Sequence, residues 1–395
     1  MKKVIAFVLA LTIIASVAVF SSSAATKVTG VKQVDASSTS FTVSWGEYFG
    51  ATRYKVEYSD SANGSYLVDT EYASTSLEEY VYGVSPGHTY YVKVTPYVDG
   101  KYLNGATSEP VALCTAPNQV TGLKQKSATA NSYTITWTAS LGATKYGIYR
   151  YANSTEQLIG TTTKTSYTVK KVSNKARLDY STYVRAIRNV NGYDAKSYYS
   201  YLSSYDVNLV PKKSNIKVSS TYDFGVVYFD VNSVPFQKGY EVNVYKANKK
   251  KVYTSGTGYR YEGFKKGQFY KAKARAWTQI GAGQKHYNGK WSKFTYFTLG
   301  CKNVSGKGKS RAINVSWSKV KGGKVKYDIY VSKTYKSGLK KFKKNVSGSS
   351  VKVTKYGKSR LSSRTYYYVY VQPKIKVGKK WVKSPVSSYY YTRTN

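Results

Sequence analysis

The chain has 395 residues, and its 62 Lys and Arg against 19 Asp and Glu give a formal net charge of +43 at pH 7. It contains 44 Tyr but only two Cys and two His. No Gly-rich phosphate loop, HExxH or CxxC occurs, which excludes the nucleotide and zinc sites that those motifs build. The large positive charge favours anionic partners.

Residues 1–25 predict a secretory signal peptide. Lys2 and Lys3 precede an uncharged apolar run over residues 4–20, and the small residues at 21–25 suit a signal peptidase. An uncleaved membrane anchor is the alternative, although the run is short for a span. No later segment is apolar enough to cross a bilayer, and no sorting motif or lipid-accepting Cys is present. We therefore expect a secreted protein that is held non-covalently at the cell surface.

An aromatic residue recurs at a regular interval along the mature chain. Trp45 and Trp137 are 92 residues apart, Phe229 follows after 92 more and Trp317 after a further 88. A period near 90 residues is the length of a domain, so the sequence predicts a tandem array. Its four units are residues 26–116, 117–210, 211–300 and 301–395.

Apolar residues alternate with polar ones before and after each of these aromatic positions. In the first unit the run Phe41, Val43, Trp45 is followed by Tyr54 and Val56. A period of two indicates strands with one buried face, and the Gly, Asn and Ser turns between the runs are typical of antiparallel β-sandwiches. The predicted fold class is therefore all-β, with four immunoglobulin-like sandwiches after the signal peptide.

Each unit resembles a fibronectin type III domain, a family with a Trp that ends one strand and a Tyr that opens a Tyr-x-Val-x-Val strand. Phe229 replaces the Trp in the third unit, which makes that unit the most divergent. The resemblance covers the mature chain and implies a spacer or adhesion role, because members are usually interaction modules. The Arg-Gly-Asp loop of some animal members is absent. The resemblance to this family depends on Trp45, Trp137, Trp317, Tyr90, Tyr367 and the stretches GATSEP, GYDAKSYYS, GKWSKF and GKKWVKSPVSS.

The junctions between the units are short. They fall near Ala116-Pro117, Val210-Pro211 and Leu299-Gly300. Because Pro fixes its own φ and restricts the residue before it, we expect a jointed rod.

Charge rises steadily along the array. The four units carry −4, +8, +13 and +24, and the fourth contains 25 basic residues but one acid, Asp328. A uniform solvated surface would charge all units alike, so the gradient favours binding of an extracellular polyanion. Candidate partners are teichoic acid, anionic lipid, glycosaminoglycan and, without specificity, extracellular DNA. The predicted polyanion-binding residues are Lys340, Lys341, Lys343, Lys344, Lys374, Lys376, Lys379 and Lys380.

Tyrosines form the second candidate surface. If Tyr367, Val369 and Val371 point inward, alternate residues on the same strand point outward. Such rings could stack on sugars or receive cations, although Tyr also suits any half-exposed strand. The predicted glycan-stacking residues are Tyr330, Tyr366, Tyr368 and Tyr370.

The residues needed for catalysis are sparse. His88 and His286 lie in different units and in predicted loops, and the adjacent Glu78 and Glu79 are predicted to lie on a solvated loop rather than face each other across a cleft. We therefore predict no catalytic, metal or cofactor site.

Cys114 ends the first unit and Cys301 begins the fourth. With two units between them, an intrachain disulfide is not expected. Both are predicted to be half-buried near strand ends, with an intermolecular disulfide as the alternative.

The sequence thus predicts a non-catalytic surface-associated interaction protein that binds a polyanion such as teichoic acid through its basic C-terminal units. Two alternatives remain open. One is an accessory carbohydrate-binding protein that uses exposed Tyr faces, and the other is a passive structural spacer that self-associates.

Overall fold

The computed structural model describes residues 27–73, 76–152, 155–173, 181–280, 285–385 and 387–395. The predicted signal peptide lies outside these ranges. Within them the chain is almost entirely β, with a single 3-10 turn at Asn104–Ala106. None of the described helical segments has the length and apolarity needed to cross a bilayer.

The first two units each contain eight strands. In unit 1 they are β1 (Lys32–Ala36), β2 (Ser40–Ser44), β3 (Arg53–Ser59), β4 (Leu67–Ala73), β5 (Glu78–Tyr82), β6 (Thr89–Val98), β7 (Lys101–Tyr102) and β8 (Val111–Cys114). In unit 2 they are β9 (Thr121–Ala128), β10 (Tyr133–Thr138), β11 (Lys145–Ala152), β12 (Thr155–Thr162), β13 (Ser166–Val169), β14 (Thr182–Val190), β15 (Tyr193–Lys196) and β16 (Ser200–Leu202).

The last two units repeat this order. Unit 3 has β17 (Ile216–Tyr222), β18 (Val226–Val231), β19 (Gly239–Lys246), β20 (Val252–Gly256), β21 (Arg260–Tyr261), β22 (Tyr270–Ile280), β23 (Lys285–Asn288) and β24 (Thr295–Phe297). Unit 4 has β25 (Lys302–Lys309), β26 (Ala312–Ser318), β27 (Val325–Ser332), β28 (Lys340–Val346), β29 (Ser350–Val353), β30 (Lys355–Tyr356), β31 (Ser359–Arg360), β32 (Tyr366–Val377), β33 (Lys380–Lys383) and β34 (Ser388–Arg393).

Every unit is a sandwich of a small sheet and a large sheet, and all the strand pairs between its named strands are antiparallel. In unit 1 the small sheet has the order β1-β2-β5, and the large sheet has the order β4-β3-β6-β7 with β8 also paired to β6. Units 2, 3 and 4 keep this order, and unit 4 adds the short β30-β31 ribbon. Each unit thus packs a three-stranded sheet on a five-stranded sheet, the sandwich architecture of fibronectin type III-like domains. The predicted fold class is confirmed.

The recurrent Trp lies between the two sheets and packs against a Tyr of the neighbouring large sheet. The rings of Trp45 and Tyr54 are 5.4 Å apart, and those of Trp317 and Tyr327 are 5.1 Å apart, edge to face in both cases. Each Tyr hydroxyl accepts a bond from the loop that joins the sheets, as Tyr54 does from the Tyr48 N–H at 2.8 Å. The ring therefore fills the core while its polar end closes a turn.

A second Tyr in units 1, 3 and 4 forms a tyrosine corner. The hydroxyls of Tyr90, Tyr270 and Tyr367 each accept a bond from the N–H five residues earlier. In unit 2 the position is Thr182, whose hydroxyl bonds the Tyr133 hydroxyl at 2.5 Å. The corner is thus replaced there by a buried side-chain pair.

Unit 3 fills its core with rings where the other units use Trp and Val. Phe229 meets Phe297 at 5.4 Å, and Phe264 meets Phe297 at 5.5 Å and Tyr270 at 5.0 Å. These extra rings occupy space that the small buried Ala272 and Ala274 leave open. Close packing is therefore kept despite the divergent sequence.

Consecutive units contact each other through loops. Between units 1 and 2, the Arg188 guanidinium donates to the Thr89 hydroxyl at 2.7 Å and to the Gly142 carbonyl at 2.9 Å. Gly87 and Gly142 approach so closely that a Cβ on Gly142 would lie 1.9 Å from the Gly87 oxygen. Only Gly fits such an approach, and Gly142 also has a φ of +77°.

The other two junctions share hydrophobic residues. Phe236 belongs to unit 3 but is buried in the core cluster of unit 2. Phe269, also of unit 3, is fully buried in the core cluster of unit 4, and its N–H donates to the Lys321 carbonyl at 2.8 Å. The junctions are therefore packed rather than loose.

Candidate ligand-binding surfaces of unit 4

The single acid of unit 4 is buried and neutralised by lysines. Asp328 on β27 is 2% exposed, and Lys374 on β32 donates to its Oδ1 at 2.5 Å. The Asn345 N–H donates to the same oxygen at 3.1 Å, and Lys383 lies 3.5 Å from Oδ2. The donors and the two cations hold the pKa of Asp328 below its usual value, although burial opposes them. The prediction for Lys374 is wrong: it is buried in this pair and is not available to a polymer.

Four of the remaining predicted lysines lie on the edge of the large sheet. Lys340, Lys341, Lys343 and Lys344 are exposed on β28, which pairs only with β27 among the described strands. We call these four residues the lysine edge. Lysines are typical of exposed edge strands because they oppose pairing with another chain, so their position alone does not identify a ligand.

The other three predicted lysines surround the turn between β32 and β33. Lys376, Lys379 and Lys380 are exposed there, and we call them the hairpin lysines. Across the strands, Lys376 is opposite Trp381. The two predicted groups thus lie on different strands of one sheet and do not form a single pocket.

An open groove of about 810 Å³ on unit 4 contains lysines that the sequence prediction missed. Lys307 and Lys352 line it together with Lys343 of the lysine edge. Strand pairing aligns Lys307 with Asn314 and Asn314 with Lys352 across the small sheet. Only the pairing of β25, β26 and β29 brings these residues together, and their spacing in the sequence does not reveal it.

The side chains of the predicted tyrosine row differ in their exposure. Tyr366 is exposed and Tyr368 is partly exposed, as alternation predicts. Tyr370 is buried, because its hydroxyl accepts a bond from the Lys336 N–H at 2.6 Å and the loop over residues 333–339 lies on it. Tyr370 is therefore not available for stacking.

Three further tyrosines complete a continuous aromatic surface. Tyr391 stacks on Tyr366 at 5.1 Å with 19° between the ring planes, and it lies 4.3 Å from Tyr368. Tyr389 lies 5.7 Å from Tyr368, and Tyr335 lies 5.4 Å from Tyr389. We call Tyr335, Tyr366, Tyr368, Tyr389 and Tyr391 the tyrosine face. All except Tyr368 are more than 40% exposed.

Tyr330 links this aromatic area to the cationic part of the sheet. Lys383 donates to its hydroxyl at 3.0 Å, and Lys341 lies 5.9 Å from its ring centre. The hydroxyl and the neighbouring Asp328 raise the pKa of Lys383, so it stays charged at neutral pH. Tyr330 is thus already engaged by cations of its own unit, and its ring is only partly exposed.

The acids of unit 3 are also paired within their own unit. Each of its four acids lies in a salt bridge. Arg275 pairs with Glu241 at 2.6 Å, partly screened from solvent, whereas Asp223, which pairs with Lys266 at 2.9 Å, is exposed. The other two acids, Asp230 and Glu262, pair with Lys217 and Arg260. The cations left over in units 3 and 4 therefore have no acidic side chain of those units to neutralise them.

Three predicted loop positions turn out to lie in strands. His286 is in β23, where its ring stacks on Trp277 at 4.5 Å. Glu78 and Glu79 are both in β5, so the loop prediction is wrong for both. Glu78 is exposed, as predicted, but Glu79 is only 2% exposed. Glu79 shares a hydrogen bond with Asp69, and burial together with this carboxylate raises the pKa of Glu79 to about 8. Within the described ranges, no cluster of three or more His, Cys, Asp or Glu is placed to hold a metal ion.

Both cysteines are free thiols and are more buried than predicted. Cys114 is fully buried at the end of β8, and Cys301 is 2% exposed just before β25. Burial raises the pKa of Cys114 to about 11 and that of Cys301 to about 12.

Strand order and core packing thus define a chain of tandem fibronectin type III-like sandwiches. No protein-family model matches the sequence, and no curated protein matches it. Among solved structures, the chain is similar to three fibronectin domains of chicken contactin 1, with 14% identity over 69% of this chain and 98% of that one, and a TM-score of 0.28. It is also similar to a two-domain fibronectin type III segment of chicken tenascin, with 18% identity over 45% and 98% of the two chains and a TM-score of 0.24.

Proposed function

We propose that this chain is a non-catalytic interaction protein of the extracellular space whose basic units 3 and 4 bind an anionic polymer such as teichoic acid. The observation that carries the proposal is the pairing of all five acids of these units with Lys or Arg of the same unit. The electrostatic field around units 3 and 4 therefore comes from the Lys and Arg side chains that have no acidic partner. Such a positive field concentrates polyanions.

The contacts are expected to be many and individually weak. The lysine edge, the hairpin lysines and the groove around Lys307 and Lys352 extend over several parts of unit 4, and Lys343 of the lysine edge also lines the groove. A flexible polymer can cover several of them at once, so its affinity arises from multivalency. Because each neutralised anionic group releases counterions, binding weakens steeply as salt concentration rises.

Charge-matched variants test whether position matters. We compare the full chain with K340Q/K341Q/K343Q/K344Q and with the control K124Q/K126Q/K164Q/K170Q, which removes four exposed lysines from unit 2. The polymer is purified wall teichoic acid, and the readout is affinity as a function of salt. The lysine-edge variant should lose affinity at least tenfold and show a shallower salt dependence, while the control stays within about twofold. If both variants lost affinity equally, net charge rather than the position of the lysines would explain the binding.

A second candidate function is carbohydrate binding, and the exposed tyrosine face favours it. Stacking on sugar rings does not depend on ionic attraction, so it should survive high salt, unlike lysine-mediated binding. A passive structural spacer, the third alternative, predicts self-association with no binding to either kind of polymer.

A further inference from the structure

The tyrosine face of unit 4 has a counterpart at the same strand positions in unit 2. Strand pairing places Tyr391 opposite Tyr368 in unit 4 and Tyr201 opposite Tyr183 in unit 2. In both units another Tyr stands two residues before the one on the last strand, namely Tyr389 and Tyr199. The outer face of the large sheet therefore carries three matched tyrosines in each unit.

The rings of unit 2 are grouped and accessible. Tyr183 lies 4.9 Å from Tyr151, 5.1 Å from Tyr199 and 6.1 Å from Tyr201, with which it is stacked. Tyr201 is 63% exposed, and Tyr151 and Tyr199 are exposed as well. We call Tyr151, Tyr183, Tyr199 and Tyr201 the second tyrosine face.

Unit 3 has aromatic residues at two of the corresponding positions, but Lys271 replaces the central Tyr and its own cations lie beside the rings. Lys271 is opposite Tyr296, and it lies 5.1 Å from the ring centre of Phe294. Lys273 lies 4.3 Å from the ring centre of Trp291, and Arg275 lies 4.5 Å from the same centre. These rings already make cation–π contacts within the unit, and the contacts stabilise unit 3 rather than bind a ligand.

Unit 1 lacks the surface at these positions. There Tyr91 pairs with Ala112, and Pro110 stands two residues before Ala112. The comparison leaves units 2 and 4 with grouped, exposed tyrosines on this face, separated by a unit in which Lys271 stands at the central position.

We infer that the tyrosine face and the second tyrosine face are two sites, at matching strand positions, for the sugar rings of one class of ligand, a polysaccharide. This inference rests on the carbohydrate-binding candidate function and extends it to a second site. Phenol rings suit sugars because the ring stacks on C–H groups while its hydroxyl bonds to sugar hydroxyls. Two sites on one chain suit a repeating polymer, which can occupy both.

The charges around the two faces differ, and this sets their preference. Beside the face of unit 4 lies Lys336, 5.0 Å from the Tyr335 ring centre, and the only acid of the unit is buried. In unit 2, Arg185 lies 5.4 Å from the Tyr199 ring centre, but Glu156 pairs with it at 3.2 Å. Unit 4 therefore favours acidic sugars, whereas unit 2 accepts neutral and acidic sugars alike.

Three immobilised probes separate stacking from charge: polygalacturonate, its methyl-esterified form and inorganic polyphosphate. The full chain is compared with Y199T/Y201T, Y389T/Y391T and the four-site combination. The control is Y80T/Y82T, which removes two exposed, stacked tyrosines from the small sheet of unit 1. Thr is chosen because it keeps a high strand propensity, and circular dichroism verifies that each variant is folded.

In 1 M salt, the full chain should bind both sugar polymers. Each pair variant should lose about tenfold in affinity through lost avidity, the four-site variant should lose binding, and the control should not change. Salt-resistant binding that survives in the four-site variant, or its loss in the control, would overturn the inference. So would tyrosine-dependent self-association without polymer binding, which would assign the faces to a second copy of the chain.

Polyphosphate binding in low salt reports on the lysines alone and should be the same in all tyrosine variants. If it persists while neither sugar polymer binds in high salt, the two-site inference fails and the polyanion proposal stands. If polyphosphate fails to bind while the sugar polymers bind through the tyrosines, the polyanion proposal fails and the inference stands.

Discussion

The Nζ of Lys374 lies 2.5 Å from Oδ1 of Asp328, and both side chains are buried in the large sheet of unit 4. The pair neutralises the one acid among 25 basic residues of this unit. Unit 4 consequently presents no acidic side chain on its surface. The pair thus stabilises the unit, and its burial leaves only positive charges among the side chains on the surface of the unit.

Removing Lys374 should destabilise unit 4 without weakening polymer binding by the folded protein. In K374M a buried carboxylate loses its closest cation, at a cost of about 3 kcal/mol or more. Hydrogen-exchange protection of β27 and β32 should fall by two or more orders of magnitude. The double variant D328L/K374M, which removes both charges, should recover most of the protection. No recovery would show that packing, rather than the charge, explains the loss.

The buried pair of Glu79 and Asp69 should make unit 1 less stable as pH rises. The pKa of Glu79 is raised to about 8 in the folded state from 4.5. Its stabilising effect is therefore complete below pH 4.5 and is lost as pH rises to about 8. Exchange protection factors of β2 and β5 should fall across this range, by an amount equivalent to a few kcal/mol. In E79Q, which has no proton to lose, the profile should be flat, and an unchanged profile would contradict this account.

Phe236 should hold units 2 and 3 together. Replacing this buried ring with Ala leaves a cavity in the core cluster of unit 2, at a cost of about 3 kcal/mol. We expect limited proteolysis near the unit 2–3 junction to accelerate in F236A. The control is F224A, which removes an exposed ring from the same unit and should have little effect. Equal cleavage rates in the two variants would exclude a locking role for Phe236.

A single methyl group should open the junction between units 1 and 2. In G142A the new Cβ would overlap the Gly87 carbonyl oxygen, so the Arg188 bonds to Thr89 and Gly142 cannot all persist. Small-angle scattering should show a broader distribution of dimensions. The control G192A has the same backbone strain, with a φ of +81°, but open space around its Cβ. A broadening of equal size in G192A would assign the effect to strain rather than to contact.

The two thiols should be unreactive in the folded chain. Thiolates are the reactive form, and burial raises the pKa of Cys114 to about 11 and that of Cys301 to about 12. Iodoacetamide at pH 8 should modify neither within an hour, and both should react in 6 M guanidinium. Rapid modification of the native chain, or a disulfide-linked dimer on a non-reducing gel, would restore the intermolecular disulfide alternative.

Periodic features of the sequence predict the fold well, because they follow from burial alone. The interval between Trp45, Trp137 and Trp317 and the alternation around them require only that one strand face be apolar. Tyr90 and Tyr367, which open strands of this pattern, are buried for the same reason.

Features that depend on pairing between distant residues could not be predicted in this way. The bond between Lys374 and Asp328 joins residues 46 positions apart, and the burial of Tyr370 depends on the path of a loop. Tyr389 and Tyr391 join the tyrosine face because β34 pairs with β32 in a particular register. Alternation assigns a side to each residue of a strand, but it does not specify which strand lies beside it.

The most direct test of the central claim is the binding of the full chain to purified cell walls, intact and stripped of teichoic acid, from low to high salt. The whole chain is needed because Phe236 is shared between units 2 and 3. The account predicts tight binding to intact walls that is released by salt, and binding at least tenfold weaker to stripped walls. Equal binding to both walls, or binding that salt does not affect, would contradict the claim that unopposed lysines hold an anionic polymer.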